Sequence, residues 1–215
     1  MKIFSIEGNI GSGKSSLIEF LKNTNTELEF KFYYLEEPVS VWNEIKDLSG
    51  VTILEKYYKD PKKYAFSFQM MAYITRLSSI KKKISELPPD SILFTERSVF
   101  TDREIFAKML YDSKHIEEVE YLIYLKWFDE FKIIDLDGII YIQTTPELCH
   151  QRIDKRNRKG EESIPLSYLT DCHKYHETWI NATSTTPVLF IDGYPEQSMQ
   201  LSYQIKEFVK SDLKK

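Results

Sequence analysis

Two cysteines in 215 residues, Cys149 and Cys172, are too few for a disulfide framework or a cysteine-built metal cluster, and a reducing compartment, the cytoplasm, is the natural expectation. No apolar run approaches the roughly 20 residues a membrane span requires, and no signal-like or Arg-rich leader precedes the first strand-like run, Ile3-Phe4-Ser5-Ile6. An excess of positive charge is also missing. The formal net charge of −4 argues against a protein that coats nucleic-acid phosphates. Glycine is scarce as well, at seven residues, yet three of these, Gly8, Gly11 and Gly13, fall within one short segment. A chain so sparing with glycine has concentrated it at a single turn.

Apolar and aromatic residues are plentiful, enough to bury a full core, and the length suits one domain spanning residues 1–215. The pattern predicts strands over 2–7, 31–36, 91–96, 138–144 and 187–192. Consecutive apolar residues in these runs indicate strands covered on both faces. Helices are predicted over 14–23, 41–48, 61–87, 102–111, 116–131, 146–158, 166–183 and 195–213, with Pro61, Pro146 and Pro195 where a first helical turn tolerates proline. Such alternation implies an α/β fold of three layers, α/β/α, around a five-stranded parallel sheet.

The glycine cluster belongs to Gly8-Asn9-Ile10-Gly11-Ser12-Gly13-Lys14-Ser15, continued by Ser16, a complete G-x-x-x-x-G-K-[ST] phosphate loop. Glycines let successive amides turn inward on phosphate oxygens, and the following helix adds its positive N-terminal end. Lys14 can reach the β- and γ-phosphates and Ser15 can ligate Mg²⁺. A nucleoside triphosphate and Mg²⁺ are the ligands expected; ATP is taken as the donor, with UTP and GTP left open by the residues.

Three further clusters suit phosphoryl transfer. Glu96-Arg97-Ser98 ends the third predicted strand, where α/β sheets place their chemistry, and offers a Mg²⁺-side carboxylate next to a guanidinium. Glu36-Glu37-Pro38 ends the second, and Pro38 keeps Glu37 extended and directed into the same crevice. Arg152 and Arg156 share a helix face, with Arg158 beside Lys159-Gly160 and Glu161-Glu162, as in an arginine-rich lid that closes on a triphosphate. Asp192 ends the apolar run Val188–Asp192 and is kept as a nucleotide contact, although a strand entering the Asp192-Gly193 turn is the simpler explanation of it. No N-K-x-D-like guanine reader is present. A monophosphate kinase would need extra basic residues for its acceptor's phosphate, and a binding protein without turnover would not need Lys14, Glu37 and Arg97 together.

In order and spacing, EGNIGSGKSS (7–16), EPVSVW (37–42), YKDPKKYAFSFQ (58–69), ERSVFTDREIFA (96–107), RIDKRNR (152–158) and Ile164-Pro165-Leu166 resemble the deoxyribonucleoside kinase family, on its deoxycytidine and deoxyguanosine kinase side, over nearly the whole chain. That resemblance implies a P-loop kinase that phosphorylates the 5′-hydroxyl of a small-molecule deoxynucleoside in nucleotide salvage. Glu37 would be the general base, Arg97 would hold the hydroxyl and the phosphoryl group, and Ser15 and Glu96 would serve Mg²⁺. Tyr58 and Glu161 would hold the sugar 3′-hydroxyl. Trp42, Phe68 and Phe106 would wall the base, and Gln69 would hydrogen-bond it. Arg152, Arg156 and Arg158 would grip the donor, Arg152 near its adenine. Ala72, Arg76 and Asp102 match the family triplet that favours deoxycytidine and purine deoxynucleosides over thymidine, an Arg76–Asp102 pair crowding the space of thymine's methyl. Relatives pair through helices, so a homodimer is expected, and YLIYLKWFDEF (121–131) suits either that interface or the core.

Overall fold

The computed structural model describes residues 1–24, 31–131, 134–158, 161, 164–193 and 199–213. Five strands, β1 (Lys2–Glu7), β2 (Phe32–Leu35), β3 (Ile92–Glu96), β4 (Gly138–Gln143) and β5 (Val188–Asp192), form one sheet in the order β2-β3-β1-β4-β5. Every pairing is parallel. Alternate side chains serve opposite faces. Phe4, Ile6, Phe94, Ile140 and Ile142 pack against α1 (Lys14–Thr24) and α10 (Met199–Leu213). Ile3 faces the other way, toward Tyr73, Leu77 and Ile80 of α4 (Pro61–Glu86) and Tyr124 and Phe128 of α7 (Glu118–Phe131). Three layers result, with all strands ending on the same edge.

The remaining helices are α2 (Val39–Glu44), α3 (Ile53–Lys59), α5 (Val99–Thr101), α6 (Lys108–Asp112), α8 (Pro146–Arg156) and α9 (Leu166–Ala182). Two departures from the predicted elements matter. The helix expected over 41–48 starts earlier and stops at Glu44, and α3 follows it where a loop was expected. Thr52 caps α3 by a reciprocal box, its Oγ1 accepting from Glu55 N and Glu55 Oε2 accepting from Thr52 N. The Thr52-x-x-Glu55 spacing is a sequence signature of this kind of start. The helix predicted over 102–111 is instead α5, a π-helical stretch (Asp102–Ala107) and α6 in series. Its wider turn has no signature in periodicity, and such turns recur at functional sites. The predicted start of the last helix at residue 195 lies outside the described residues, as do Lys159, Gly160 and Glu162.

The glycines of the phosphate loop are there for space as well as conformation. Gly11 has φ +78°, and a Cβ there would stand 2.6 Å from the Cys149 carbonyl oxygen. Gly8, at φ +146°, would meet the Ile142 carbonyl at 2.8 Å. The loop is thus pressed directly onto β4 and α8, which carries the lid arginine Arg152.

Candidate active site

At the C-terminal edge of the sheet a cavity of about 750 Å³ opens, lined by the phosphate loop, Glu37, Trp42, Tyr58, Phe68, Gln69, Ala72, Arg76, Glu96, Arg97, Asp102, Phe106 and the lid residues Arg152, Arg156, Arg158 and Glu161. Almost every residue singled out from the sequence therefore shares one space. Asp192 does not line it; it is exposed at the end of β5. Asn9 sits beneath the loop, its Nδ2 donating to the Leu169 carbonyl at 2.8 Å and its Oδ1 accepting from Ile10 N at 2.8 Å, which ties the loop to α9.

Lys14 opens α1 with its amine folded back over the loop, donating to the carbonyls of Asn9 at 2.7 Å and Gly8 at 3.2 Å. Burial lowers its pKa, the nearby Arg97 charge lowers it further, and Glu96 and Glu37 only partly compensate, leaving it at about 8. Ser15 donates to Glu96 Oε1 at 2.9 Å. A hydroxyl and a carboxylate are hard oxygen ligands of the type that Mg²⁺ takes alongside water and phosphate oxygens, so this pair fits the expected ion.

The centre of the cavity is a chain of buried charges. Arg76, from the middle of α4, donates Nε to Asp102 at 2.8 Å, Nη1 to the Glu96 carbonyl at 2.9 Å and Nη2 to Glu37 at 2.6 Å. Arg97 adds a second cation to Glu37 at 3.3 Å. Burial would push the Glu37 carboxyl up, but the two guanidiniums outweigh it and hold its pKa at about 2. Asp102 faces only one guanidinium at hydrogen-bond distance, and there burial wins and raises it. The Arg76–Asp102 pair follows from the sequence reading; the Arg76–Glu37 pair does not, because no local pattern joins a strand end to a helix midpoint 39 residues later.

Beside these charges lies an aromatic slot. The Phe68 ring stacks on Tyr57 of α3 at 4.6 Å and 9°, and Trp42 meets Phe68 edge-on at 5.5 Å. Trp42 is anchored through its Nε1, which donates to Thr75 at 2.9 Å, and Tyr57 is anchored by a 2.8 Å hydroxyl contact with Tyr168. Gln69 is 2 % exposed, and its side-chain oxygen has no hydrogen-bond partner. An unpaired buried amide oxygen is costly unless something fills its valence, and the open side of the slot is the cavity. Phe106 stands under the Arg97 guanidinium, 5.0 Å away. In the lid, Arg156 and Arg158 both pair with Glu161, the latter at 3.2 Å, whereas Arg152 bridges the Ser12 carbonyl at 3.0 Å and the Gly193 carbonyl at 2.7 Å.

Residues 4–214 match the family model described as deoxynucleoside kinase. The chain belongs to the deoxynucleoside kinase family. It is 38 % identical over 200 residues to deoxycytidine kinase 2 of Gallus gallus, covering 84 % of this chain and 74 % of the relative. It is 35 % identical over 244 aligned positions to deoxycytidine kinase of Homo sapiens, covering 98 % and 92 %. The mitochondrial deoxyguanosine kinase of Xenopus laevis is 36 % identical over 203 residues, covering 86 % and 75 %. The protein is an enzyme of this family. Among the described residues no helix is long and apolar enough to cross a membrane.

Three features of the candidate site escape sequence reasoning: α3, which supplies Tyr57 to the slot; the second carboxylate partner of Arg76; and Tyr168, which braces Tyr57 from α9. Only the first has a local signal.

Proposed function

We propose that the enzyme transfers the γ-phosphoryl group of ATP to the 5′-hydroxyl of a deoxyribonucleoside, preferring deoxycytidine and purine deoxynucleosides to thymidine. One observation carries this reading: a slot of stacked aromatics with an unpartnered amide oxygen shares its cavity with a phosphate loop. A flat base carrying an exocyclic amine would satisfy that oxygen and lie against this aromatic wall, and the Asp102 carboxylate nearby can accept from such an amine.

In this reading Glu37 orients the 5′-hydroxyl and takes its proton. A carboxylate held near 2 is a weak base, but phosphoryl transfer passes through a loose transition state in which the attacking oxygen keeps much of its proton until late. Permanent ionisation and fixed direction matter more here than basicity. Arg97 and Lys14 stabilise charge on the phosphoryl oxygens, and the amides of residues 8–16 hold the remaining phosphates. Ser15 and Glu96 would hold Mg²⁺, which supplies charge neutralisation on the phosphate oxygens. Arg156 and Arg158 would exchange Glu161 for the triphosphate, releasing Glu161 to join Tyr58 on the sugar 3′-hydroxyl, with Arg152 at the donor base and Asp192 at its margin.

Label transfer from γ-labelled ATP tests this. Deoxycytidine, deoxyadenosine and deoxyguanosine are expected to become labelled, thymidine poorly and dCMP not at all. Labelling of dCMP instead would make the enzyme a monophosphate kinase.

The Lys14 amine sets a pH dependence. Below pH 8 it is charged in the free enzyme; above, it is neutral, and a bound triphosphate must restore the proton. Affinity for ATP is therefore expected to fall above pH 8, by up to about tenfold per pH unit, as titration calorimetry between pH 7 and 9.5 would show. Stability moves oppositely: between pH 8 and the ordinary 10.5 the unfolded chain binds more protons here, so the free fold gains stability as pH rises through that window.

A homodimer completes the reading. On α7, Tyr124 and Phe128 are core, while Val119, Leu122, Ile123, Trp127 and Phe131 remain exposed. Five exposed apolar side chains on one helix suit a second copy, and sedimentation velocity reads the state. Two buried free thiols accord with the cytoplasm as the compartment.

A further inference from the structure

Arg97 is the one residue of the charged centre whose backbone is unusual, at φ +63°. Side chains other than Gly, Asn and Asp seldom adopt this left-handed conformation, and it persists only where the surroundings over-determine it. The side chain of Arg97 reaches the Gly8 carbonyl at 3.0 Å, Glu37 and the Phe106 ring. Those contacts aim the guanidinium but do not hold the main chain.

The main chain is held from both sides. Arg97 N donates to the Ile6 carbonyl at 3.0 Å, which extends the β1–β3 ladder by one residue. Immediately after it, Ser98 and Thr101 form a reciprocal cap. Thr101 N donates to Ser98 Oγ at 3.3 Å, and Ser98 N donates to Thr101 Oγ1 at 3.0 Å. A capping hydroxyl that accepts from an amide still carries a proton to donate. At a surface that proton goes to water; here both hydroxyls are fully buried. Both find a single acceptor, the carboxylate of Glu7. Ser98 donates to its Oε1 at 3.0 Å, and Thr101 lies 2.7 Å from both its oxygens.

Glu7 is the last residue of β1, fully buried, and followed at once by Gly8, whose carbonyl receives Arg97 Nη1. Adjacent residues of β1 and the phosphate loop thus grip the cap after Arg97 and the guanidinium of Arg97 itself. Neither Glu7, Ser98 nor Thr101 lines the cavity, so none touches a ligand there. A buried carboxyl is an expensive way to fill space at the end of a buried strand. Burial pushes it up against the pull of the hydroxyls and Arg97.

We infer that Glu7, acting through the hydroxyls of Ser98 and Thr101, is a positioning residue that locks Arg97 in its left-handed conformation and so keeps the guanidinium registered against the phosphate loop. The inference rests on the proposed role of Arg97 at the transferring phosphoryl group. A group mispositioned by an ångström loses much of its effect on the transition state while ground-state binding barely changes.

The experiment measures kcat and KM for deoxycytidine and ATP, with thermal unfolding, in wild type, Thr101→Val, Thr101→Ser, Glu7→Gln, Arg97→Met and Arg97→Met combined with Thr101→Val. Thr101→Val is expected to lower kcat about 10- to 100-fold, with both KM values within about threefold of wild type. Thr101→Ser, which keeps the hydroxyl, restores kcat. In the Arg97→Met background Thr101→Val has no further effect, because it acts through Arg97. Full kcat in folded Thr101→Val overturns the inference, as does an equal loss in the Arg97→Met background. If Thr101→Val does not fold, Glu7→Gln, which keeps shape and one carbonyl acceptor, decides: a lowered kcat at unchanged KM supports the lock, and wild-type kcat overturns it. A wild-type enzyme inactive on every deoxynucleoside sinks the proposed function and this inference with it; an active wild type with an indifferent Thr101→Val and Glu7→Gln sinks the inference alone.

Discussion

Glu37→Gln is expected to lower kcat about 100- to 10,000-fold, the range that loss of a positioned proton acceptor produces, with the KM for deoxycytidine changing far less. The amide has the shape of the carboxylate but cannot take a proton, and it leaves Arg97 without its carboxylate partner. Arg76 retains Asp102 and the Glu96 carbonyl, so the fold should survive and circular dichroism should match wild type. The pH profile sharpens the test. Because Glu37 is depressed to about 2, its ionisation cannot limit wild-type activity anywhere between pH 5 and 8, and no acid limb from this group is expected there. Its contribution to stability is likewise fully present above the ordinary carboxylate range and is lost progressively as pH falls from there through about 2. A Glu37→Gln enzyme with kcat within about threefold of wild type would remove the proposed base, since a positioned general base typically contributes about 100- to 10,000-fold.

The second large effect concerns base choice. Arg76→Met combined with Asp102→Ala is expected to raise the ratio of thymidine to deoxycytidine kcat/KM about 10- to 200-fold, the discrimination that a methyl-sized change of room supports. The double replacement is needed. Arg76 and Asp102 are both almost fully buried, and removing the cation alone would strand a buried carboxylate at a cost of about 3–5 kcal/mol. Arg76 also donates to Glu37, so absolute turnover of deoxycytidine should fall in the same variant. The two effects separate cleanly: the ratio reports the space beside Ala72, and the absolute rate reports support of Glu37. An unchanged ratio, measured with the two nucleosides in competition, would mean that the pair does not select the base.

Much of this site is legible in the linear chain because phosphate binding is a local problem. Gly8 to Ser15 is contiguous, and its glycines, lysine and serine each answer a backbone or charge requirement that neighbouring residues set. Strands and most helices are legible for the same reason. The missed helix α3 was signalled by Thr52 and Glu55 and was hidden between two loop-like stretches. The π-helical turn at Asp102–Ala107 was not signalled at all, since its residues are compatible with an ordinary helix and only the fit of Asp102 onto Arg76 and Phe106 onto Arg97 distinguishes it. The stripe at 121–131 divides, with Tyr124 and Phe128 in the core and Leu122, Ile123, Trp127 and Phe131 exposed, because a helix against a sheet buries only part of its circumference.

Residue order alone is sufficient for the phosphate loop, the parallel α/β frame and the identity of the charged groups, because each depends on neighbours in sequence or on a simple period. Which charge answers which is a different matter. Arg76 reaches across 39 positions to Glu37 and 26 to Asp102, and Glu7 reaches across 94 to Thr101. Such partnerships follow from strand register and helix docking, which bring distant side chains into a space with almost no water. There each buried charge must find its counterpart, and only the folded arrangement says which one that is.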